Sequence, residues 1–347
     1  MKKYYPILLS KEGELVALQN LSQNIKDGIA PVLEITADTL FKDGDYKNKI
    51  QDSLLESWAF EGNKIFVDFS YFTNTSGEIR AINRLLTYLL NNGVNACPVM
   101  SFNSDAAYIA LVQRLIAAHN CEIGIRLNNA GGGFINYNPQ IQTLLTSLNT
   151  TRRNTTIILD LGYSENANFN LLATIAYTTI TGLNSVNDWV AIVVASGSFL
   201  SDLGGLPAPT TATSPAIVYR LPRYEWQIWT YLNTLQLPRT INYGDFGTKN
   251  PLYLPAAFEG SASIKYTRPT EFVIYRGRKG SEHRLSAGQY HVSANALIRS
   301  RDYSGRTFSW GDEQIYQIGN RDTNPGNAGS WVKISINHHI TLLHSLL

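Results

Sequence analysis

The sequence has few cysteines, no marked excess of one charge and no long hydrophobic run. Cys97 and Cys121 are its two cysteines, and their spacing is not that of a metal site, so we expect buried free thiols. With 29 basic and 27 acidic residues the net charge is +2, which gives no global attraction to nucleic acid or membranes. No run reaches membrane-spanning length, and the first apolar run is too short for a signal peptide. We therefore expect a cytoplasmic protein, with no membrane partner, in which any anion site is local.

Common active-site signatures are also lacking. The glycine-rich run AGGGF, at Ala130 to Phe134, lacks the spacing and the lysine of nucleotide-binding loops. Ser196 and Ser198 in VVASGSF do not form a G-x-S-x-G nucleophile elbow. The sequence therefore contains no motif that by itself identifies a reaction.

What the sequence does contain is an alternation of short apolar runs with amphipathic runs. This alternation is typical of βα units around a parallel sheet. Seven crossovers between eight strands predict a closed (β/α)8 TIM-barrel-like fold, with a doubly wound open sheet as the alternative. The predicted strands are 4–9, 29–36, 64–69, 96–102, 122–127, 156–161, 189–195 and 240–246. The predicted helices are 13–27, 47–61, 77–92, 104–119, 139–152, 167–184 and 223–234.

The alternation ends after Phe246. We therefore predict a barrel over residues 1–246 and a β-rich appended region over residues 247–347 that closes over the barrel mouth, the end at which the strands terminate. Within that region, SIKYTRPTEFVIYRGR predicts a strand pair around Pro269, and a helix is expected near 284–300.

Charged side chains stand at the ends of five predicted strands. They are Glu34, Asp68, Arg126, Asp160 and Asp245. An ionised group in an apolar strand is costly unless it is paired or hydrated, and barrel sites lie at the strand ends. We therefore predict that Glu34, Asp68, Arg126 and Asp160 converge on one end of one barrel.

Three interpretations of these groups stay open. Glu34, Asp68 and Asp160 could be catalytic ligands of Mg²⁺ or Mn²⁺ that orient a phosphate for attack by water. Two of the carboxylates could instead be the general acid and base of a glycosidase-like hydrolase. Arg126 could also neutralise Asp160 or Asp68 in a purely structural ion-pair network.

A second set of residues is typical of a site for an anionic ligand. Arginine binds phosphate through two parallel hydrogen bonds, and aromatic rings stack on bases. The alternative is that Pro222 and Arg223 open a helix with core aromatics and solvated arginines. The residues that we predict to bind ligand are Lys11, Arg126, Arg220, Arg223, Tyr243, Asp245, Tyr275, Arg276, Trp310 and Asp312.

Two adjacent histidines stand near the end of the chain, in WVKISINHHIT at 331–341. An ordinary terminal helix does not require them, and the block FSWGDEQIYQIGNR precedes them at 308–321. We predict that these segments form the lip of the site, with His338 and His339 catalytic, and that Trp310, Asp312 and at least one of the two histidines lie near the carboxylates. The alternative is that the two histidines cap the barrel or pack against it.

Blocks at both ends of the chain resemble the phage and bacterial beta family. They are YYPILLSKEGELVALQNLS, IAPVLEI, SIKYTRPTEFVIYRGR, FSWGDEQI and NHHIT. The resemblance implies a TIM-barrel-like protein from phage-related gene neighbourhoods and supplies no catalytic residues. Together with the charged groups, it predicts a protein of phage–host conflict that acts on or senses a nucleotide, a nucleic acid or another phosphate-bearing ligand. A metal-dependent phosphodiester or nucleotide hydrolase is one form of this function, and a non-catalytic interaction protein of a phage or phage-defence system, with a protein partner, is the alternative.

Overall fold

The computed structural model describes residues 2–40, 49–58, 63–73, 75–128, 135–252 and 260–347. The chain divides into two compact units. The first comprises Met1–Lys11, Lys26–Ser196 and Tyr224–Phe246, and the second comprises Glu12–Ile25, Gly197–Arg223 and Gly247–Leu347. One boundary between the units falls after Phe246, and the second unit also takes in two earlier segments.

The strands, within the described residues, form one barrel and one small sheet. In chain order they are β1 (Tyr4–Leu9), β2 (Val32–Glu34), β3 (Lys64–Asp68), β4 (Asn95–Met100), β5 (Ile123–Asn128), β6 (Thr155–Tyr163), β7 (Ala191–Gly197), β8 (Ile217–Pro222), β9 (Asn242–Asp245), β10 (Ile264–Thr267) and β11 (Glu271–Arg276). Strands β1 to β7 and β9 close the barrel, and β9 pairs in parallel with both β1 and β7. This confirms the predicted barrel.

Helices follow the barrel strands as the alternation of the sequence predicts. In the described parts of the chain they are α1 (Glu12–Gln19), α2 (Gln23–Gly28), α3 (Ala37–Leu40), α4 (Lys49–Trp58), α5 (Ser76–Asn91), α6 (Ala106–His119), α7 (Asn138–Leu148), α8 (Phe169–Gly182), α9 (Tyr224–Thr234), α10 (Gln289–Ile298), α11 (Trp310–Asn320) and α12 (Ala328–Leu346). The outer ends of the helix predicted at 47–61 and the run AGGGF lie outside the described residues. No helix among the described residues is both long and apolar enough to cross a membrane.

Alternate residues of the barrel strands point inward, as the period of two requires. Gly124 of β5 provides space in this interior, because a Cβ atom there would lie 3.0 Å from Cδ1 of Phe66. The interior cluster consists of Tyr5, Ile7, Ala30, Val32, Phe66, Cys97, Val99, Ile158, Ala191, Val193, Ala195 and Phe246.

An ion pair fills the N-terminal end of the barrel interior. Lys64 Nζ donates to both carboxylate oxygens of Glu122, at 3.0 and 2.8 Å, and the Thr156 hydroxyl donates to the same carboxylate at 2.5 Å. Both charged side chains are largely buried. One cation therefore contacts one anion in this pair.

The second unit is built on an antiparallel sheet of order β10, β11, β8. The predicted strand pair around Pro269 is confirmed as β10 and β11. One sheet face contributes Ile264, Tyr266, Val273 and Tyr275 to a core that α10, α11 and α12 complete. The other face carries a smaller cluster of Phe199, Phe272 and Ile274, with Leu203, Leu206, Tyr219 and Leu221 packed against it.

Candidate functional site

A charged cluster lies inside the C-terminal end of the barrel, centred on Arg126. Its Nη1 atom donates to Glu34 Oε1 at 2.9 Å and to Asp68 Oδ2 at 2.6 Å. Its Nη2 and Nε atoms donate to Asp160 Oδ2, at 2.7 and 2.9 Å. The predicted convergence of these four side chains on one end of one barrel is therefore confirmed.

The strand register explains why the cluster forms. Glu34 is paired with Asp68 across β2 and β3, and Asn128 with Asp160 across β5 and β6. Each charged residue follows an interior residue of its strand by two positions, so its side chain points into the same interior. Four strands therefore place their charged side chains at the same end of the barrel interior.

Asp68 and Asp160 are held in the same way by their own strands. Asp68 Oδ1 accepts from the Ser70 backbone N–H at 2.9 Å, and Asp160 Oδ1 accepts from the Gly162 N–H at 2.9 Å. Gly162 has a φ of +67°, a conformation that glycine adopts at little cost. Each of these carboxylates thus accepts from a backbone N–H with one oxygen and from Arg126 with the other.

Glu34 is bonded differently. Its second oxygen, Oε2, accepts from the hydroxyl of Tyr71 at 3.5 Å, the upper limit of a hydrogen bond. Tyr71 is 39% exposed, whereas Glu34 is buried. Burial and the Glu34 carboxylate raise the pKa of Tyr71, so the hydroxyl keeps its proton and can donate it. Tyr71 therefore links the buried cluster to solvent.

The cluster is not balanced in charge. Three carboxylates face one guanidinium, and when all four are ionised two negative charges are left over. Burial tends to lower the pKa of Arg126, but the attraction of Asp160, Asp68 and Glu34 outweighs it, and the pKa is raised well above its ordinary value. Arg126 therefore stays charged inside the barrel.

The arrangement of the carboxylates bears on the predicted metal site. In the described part of the chain, no group of three or more His, Cys, Asp or Glu side chains is arranged to hold a metal ion. Arg126 donates to all three carboxylates and fills the position between them that a cation would take. A metal held jointly by Glu34, Asp68 and Asp160 does not fit this arrangement unless Arg126 moves, and metal binding here stays a prediction.

Asp245, at the end of β9, lies outside this cluster. Asp245 shares a face of β9 with Tyr243, opposite the inward-facing Phe246, and accepts from the Tyr4 hydroxyl at 2.7 Å. Tyr243 is fully buried and packs against the rings of Tyr4 and Trp226. The expectation that Asp245 joins the interior ring is corrected, because β9 turns its alternate face inward.

Lys11 follows β1 and lies near a carboxylate. Its Nζ atom is 3.6 Å from Asp38 Oδ2, and both side chains are substantially exposed. An exposed pair of this kind contributes little to stability. A role for Lys11 in ligand binding stays a prediction.

The predicted histidine lip is a buried part of the second unit. The segment at 331–341 lies within α12, and His338 and His339 have no exposed surface. His338 Nδ1 lies 2.8 Å from Asp312 Oδ2, and its Nε2 lies 2.9 Å from the carbonyl oxygen of Thr267. The two histidines that were predicted at the lip of the site are therefore buried rings of a helix, and their catalytic role stays a prediction.

Asp312 is the centre of this second network. Its carboxylate also accepts from the hydroxyls of Tyr266 at 2.7 Å and Ser309 at 2.6 Å. His339 Nδ1 bonds the Thr267 hydroxyl at 2.9 Å. Trp310, the first residue of α11, is partly buried beside the core of this unit. That Asp312 and the histidines lie near the barrel carboxylates stays a prediction.

The predicted arginine cluster divides between the two faces of the small sheet. Arg220 pairs with Glu271 and with Asp302, the latter at 2.6 Å. Arg223 is fully buried and donates to the backbone carbonyl oxygens of residues 268 and 269. Tyr275 is buried in the core beneath the helices. Arg276 lies on the opposite face from Tyr275.

Two residues beside these groups were not predicted. Tyr71 is the third residue after β3, where no sequence pattern distinguishes it from a loop tyrosine. Lys265 lies in β10, between two inward-facing residues of a short strand. An isolated lysine in an apolar β-strand is the signal that could have identified Lys265.

The fold and the charged strand ends define an α/β-barrel protein with an ion-paired cluster inside its C-terminal end. The chain belongs to the Beta protein family, whose sequence model matches residues 4–344. No curated protein sequence matches the chain. Among solved structures the chain is similar to the one titled "Crystal Structure of SacUVDE", with 12% identity and a TM-score of 0.34 over 72% of this chain and 94% of that chain. A likeness this low carries no inference about function.

Proposed function

We propose that the cluster around Arg126 is the active site of a hydrolase that cleaves a glycosidic bond of a sugar or a nucleoside. The observation that carries this proposal is the excess of negative charge at one end of the barrel interior. The other end holds a balanced Lys64–Glu122 pair. A cluster that served only to close the barrel would need no more carboxylates than cations, since burying the additional charge costs free energy.

The charge of the cluster selects the class of ligand. Hydroxyl groups donate hydrogen bonds to carboxylates, so a sugar ring complements this site, whereas a phosphate by itself would be repelled. Cleavage of a glycosidic bond also develops positive charge on the sugar ring, which fixed carboxylates stabilise. The cluster would therefore bind the transition state more tightly than the substrate.

The bonding of each carboxylate supports a division of roles. Asp68 and Asp160 each bond both their own strand and Arg126, which suits the positioning of the guanidinium. Glu34 is the carboxyl group next to a partly exposed hydroxyl, that of Tyr71. In the proposed step Glu34 is the protonated member of the cluster and gives its proton to the leaving atom as the glycosidic bond breaks, while Asp68 and Asp160 keep a negative charge in excess over Arg126. Water adds to the sugar carbon and loses a proton to the Glu34 carboxylate, which restores the acid.

A test is hydrolysis of a panel of chromogenic glycosides and of nucleosides by the purified protein. We expect Glu34→Gln to lower kcat by about 100-fold or more, because general acid–base catalysis typically contributes that much. Tyr71→Phe should have a smaller effect, since the hydroxyl assists Glu34 rather than the substrate. Glu56→Gln, at an exposed position of α4, is the matched control and should leave kcat unchanged. Hydrolysis that Glu34→Gln leaves intact would contradict the proposal.

The same charge excess favours a second candidate, a divalent cation that holds a phosphate-bearing ligand. The cation would remove the repulsion between the cluster and phosphate, so metal and phosphate binding should appear together. Activity lost in EDTA and restored by Mg²⁺ or Mn²⁺ would support this candidate over the glycosidic one. If neither hydrolysis nor a metal effect is found, the interaction protein of phage–host conflict that the resemblance implies becomes the better proposal.

A further inference from the structure

Two cations lie on one face of the small sheet without a carboxylate partner. Lys265 Nζ donates to the backbone carbonyl oxygen of Thr248 at 3.1 Å and lies 4.3 Å from the centre of the Phe199 ring. Arg276 donates from Nε to the carbonyl oxygen of Leu206 at 3.3 Å. In the described residues neither side chain forms an ion pair. Among the described residues, both cations therefore contact uncharged groups.

The strand register places the two cations close together. Lys265 stands opposite Ile274 in the β10–β11 pair, and Arg276 follows Ile274 by two residues on the same face. Diagonal neighbours of this kind have Cα atoms about 7–8 Å apart, within reach of long side chains. The register therefore places the two side chains on one sheet face as diagonal neighbours.

Serine hydroxyls complete this face. Arg276 Nη1 donates to the Ser261 hydroxyl, which lies 2.8 Å from that of Ser263. The Ser263 oxygen in turn accepts from the Gly277 N–H at 3.2 Å. Ser261, Ser263 and Arg276 are half-buried, whereas the ammonium group of Lys265 is buried deeply enough to lower its pKa. Two cations with two hydroxyls are the donors that recognise phosphate oxygens.

The opposite face of the same sheet provides the contrast. There Arg220 is neutralised by Glu271 and Asp302. Glu14 and Asp202 attract Lys265 and Arg276 only from beyond ion-pair distance, and burial lowers the pKa of both cations. Isolated cations under partial burial cost stability and are commonly kept for function.

We propose that Lys265, Arg276, Ser261 and Ser263 form a binding site for a phosphate group. An oxyanion would supply the negative charge that this sheet face lacks, and its oxygens would accept from both cations and both hydroxyls. The site lies wholly within the second unit, so it does not depend on the chemistry proposed for the barrel. Arg276 was predicted from the sequence as a ligand-binding residue, and Lys265 and the serines are additional.

The test is a titration with inorganic phosphate at constant ionic strength, followed by calorimetry and by the melting temperature. We expect phosphate to bind and to raise the melting temperature above that in sodium chloride. Lys265→Met and Arg276→Met should each weaken phosphate binding by tenfold or more, while Arg276→Lys should retain part of it. Lys333→Met, which removes a lysine paired with Glu12 on α12, is the matched control and should bind as the wild type does.

AMP and adenosine distinguish the possible sources of the phosphate. Tighter binding of AMP than of phosphate, with adenosine inactive, would indicate a nucleotide ligand, and equal binding would indicate the phosphate group alone. If Arg276→Met does not fold, Lys265→Met decides the question. The proposal is overturned if phosphate gives no effect beyond that of chloride, or if Lys265→Met binds phosphate as tightly as the wild type. Glu34→Gln should leave phosphate binding unchanged, which separates this site from the barrel cluster.

Discussion

Arg126 and Asp160 are joined by two hydrogen bonds that end on one oxygen atom. Nε and Nη2 of the arginine donate to Asp160 Oδ2, at 2.9 and 2.7 Å. This contact fixes the edge of the guanidinium plane and directs Nη1 towards Glu34 and Asp68. A lysine has no such fork, so the geometry of the cluster depends on arginine and not only on positive charge.

We expect Arg126→Met to destabilise the protein by about 3–5 kcal/mol, because removing one partner of a buried ion pair leaves uncompensated charge. Asp160→Asn should cost less, since Arg126 keeps Glu34 and Asp68 and the excess negative charge falls. The loss of stability in Arg126→Lys should lie between those of Arg126→Met and Asp160→Asn. Urea unfolding followed by circular dichroism measures all three. An Arg126→Met variant as stable as the wild type would show that the cluster does not depend on its counter-charge.

Stability should depend on pH through Lys265. Burial lowers the pKa of this lysine in the folded protein to about 8, below its ordinary value of 10.5. Between these values the unfolded chain binds a proton that the folded chain does not, so stability rises with pH. Below pH 8 both states are charged, and the folded state bears the full cost of burial.

We therefore expect Lys265→Met to raise stability near pH 7 by about 1–3 kcal/mol, since one pKa unit corresponds to about 1.4 kcal/mol. The gain should shrink as the pH rises from 8 towards 10. Melting curves of this variant and of Lys333→Met across that range measure the effect, and the control should keep the wild-type slope. Parallel pH profiles of Lys265→Met and the wild type would contradict the expectation.

Substitution of Asp312 should be among the most destabilising changes in the second unit. We expect Asp312→Ala to cost about 3–5 kcal/mol, because it leaves the buried groups of His338, Tyr266 and Ser309 without an acceptor. Thermal unfolding measures the loss. The neighbouring Glu313 pairs with Arg306 on the surface, so Glu313→Ala should change stability little. Equal effects of the two changes would show that the buried network contributes nothing particular.

The barrel could be predicted because its strands are buried on both faces and are separated by helices with a different period. The cluster could be predicted for the same reason: Glu34, Asp68, Arg126 and Asp160 each interrupt a strongly apolar strand at a corresponding position. Asp245 was misplaced because the predicted strand at 240–246 has hydrophobic residues of both parities, Ile241 and Tyr243 on one side of Gly244 and Phe246 on the other. Its sequence therefore does not show which face is inside.

The third strand of the small sheet, β8, and the burial of the histidines could not be predicted from the sequence for another reason. Strand β8 is largely exposed, and its partner β11 comes about fifty residues later, so its own sequence carries no burial pattern. His338 is tolerated in a core because Asp312 and a carbonyl oxygen of β10 meet its ring. Sequence alone does not bring these partners together.

The close approach of Phe66 to Gly124 also bears on how this family can diverge. A methyl group at position 124 would lie 3.0 Å from the phenylalanine ring and 3.3 Å from the side chain of Ile158. A larger residue at position 124 on β5 therefore requires a smaller residue on β3 or β6. Either substitution alone would disturb a densely packed interior. Among relatives, an alanine at position 124 should be inherited together with a residue smaller than phenylalanine at position 66. Positions 66 and 124, directly beneath Arg126, should therefore covary among the sequences of this family.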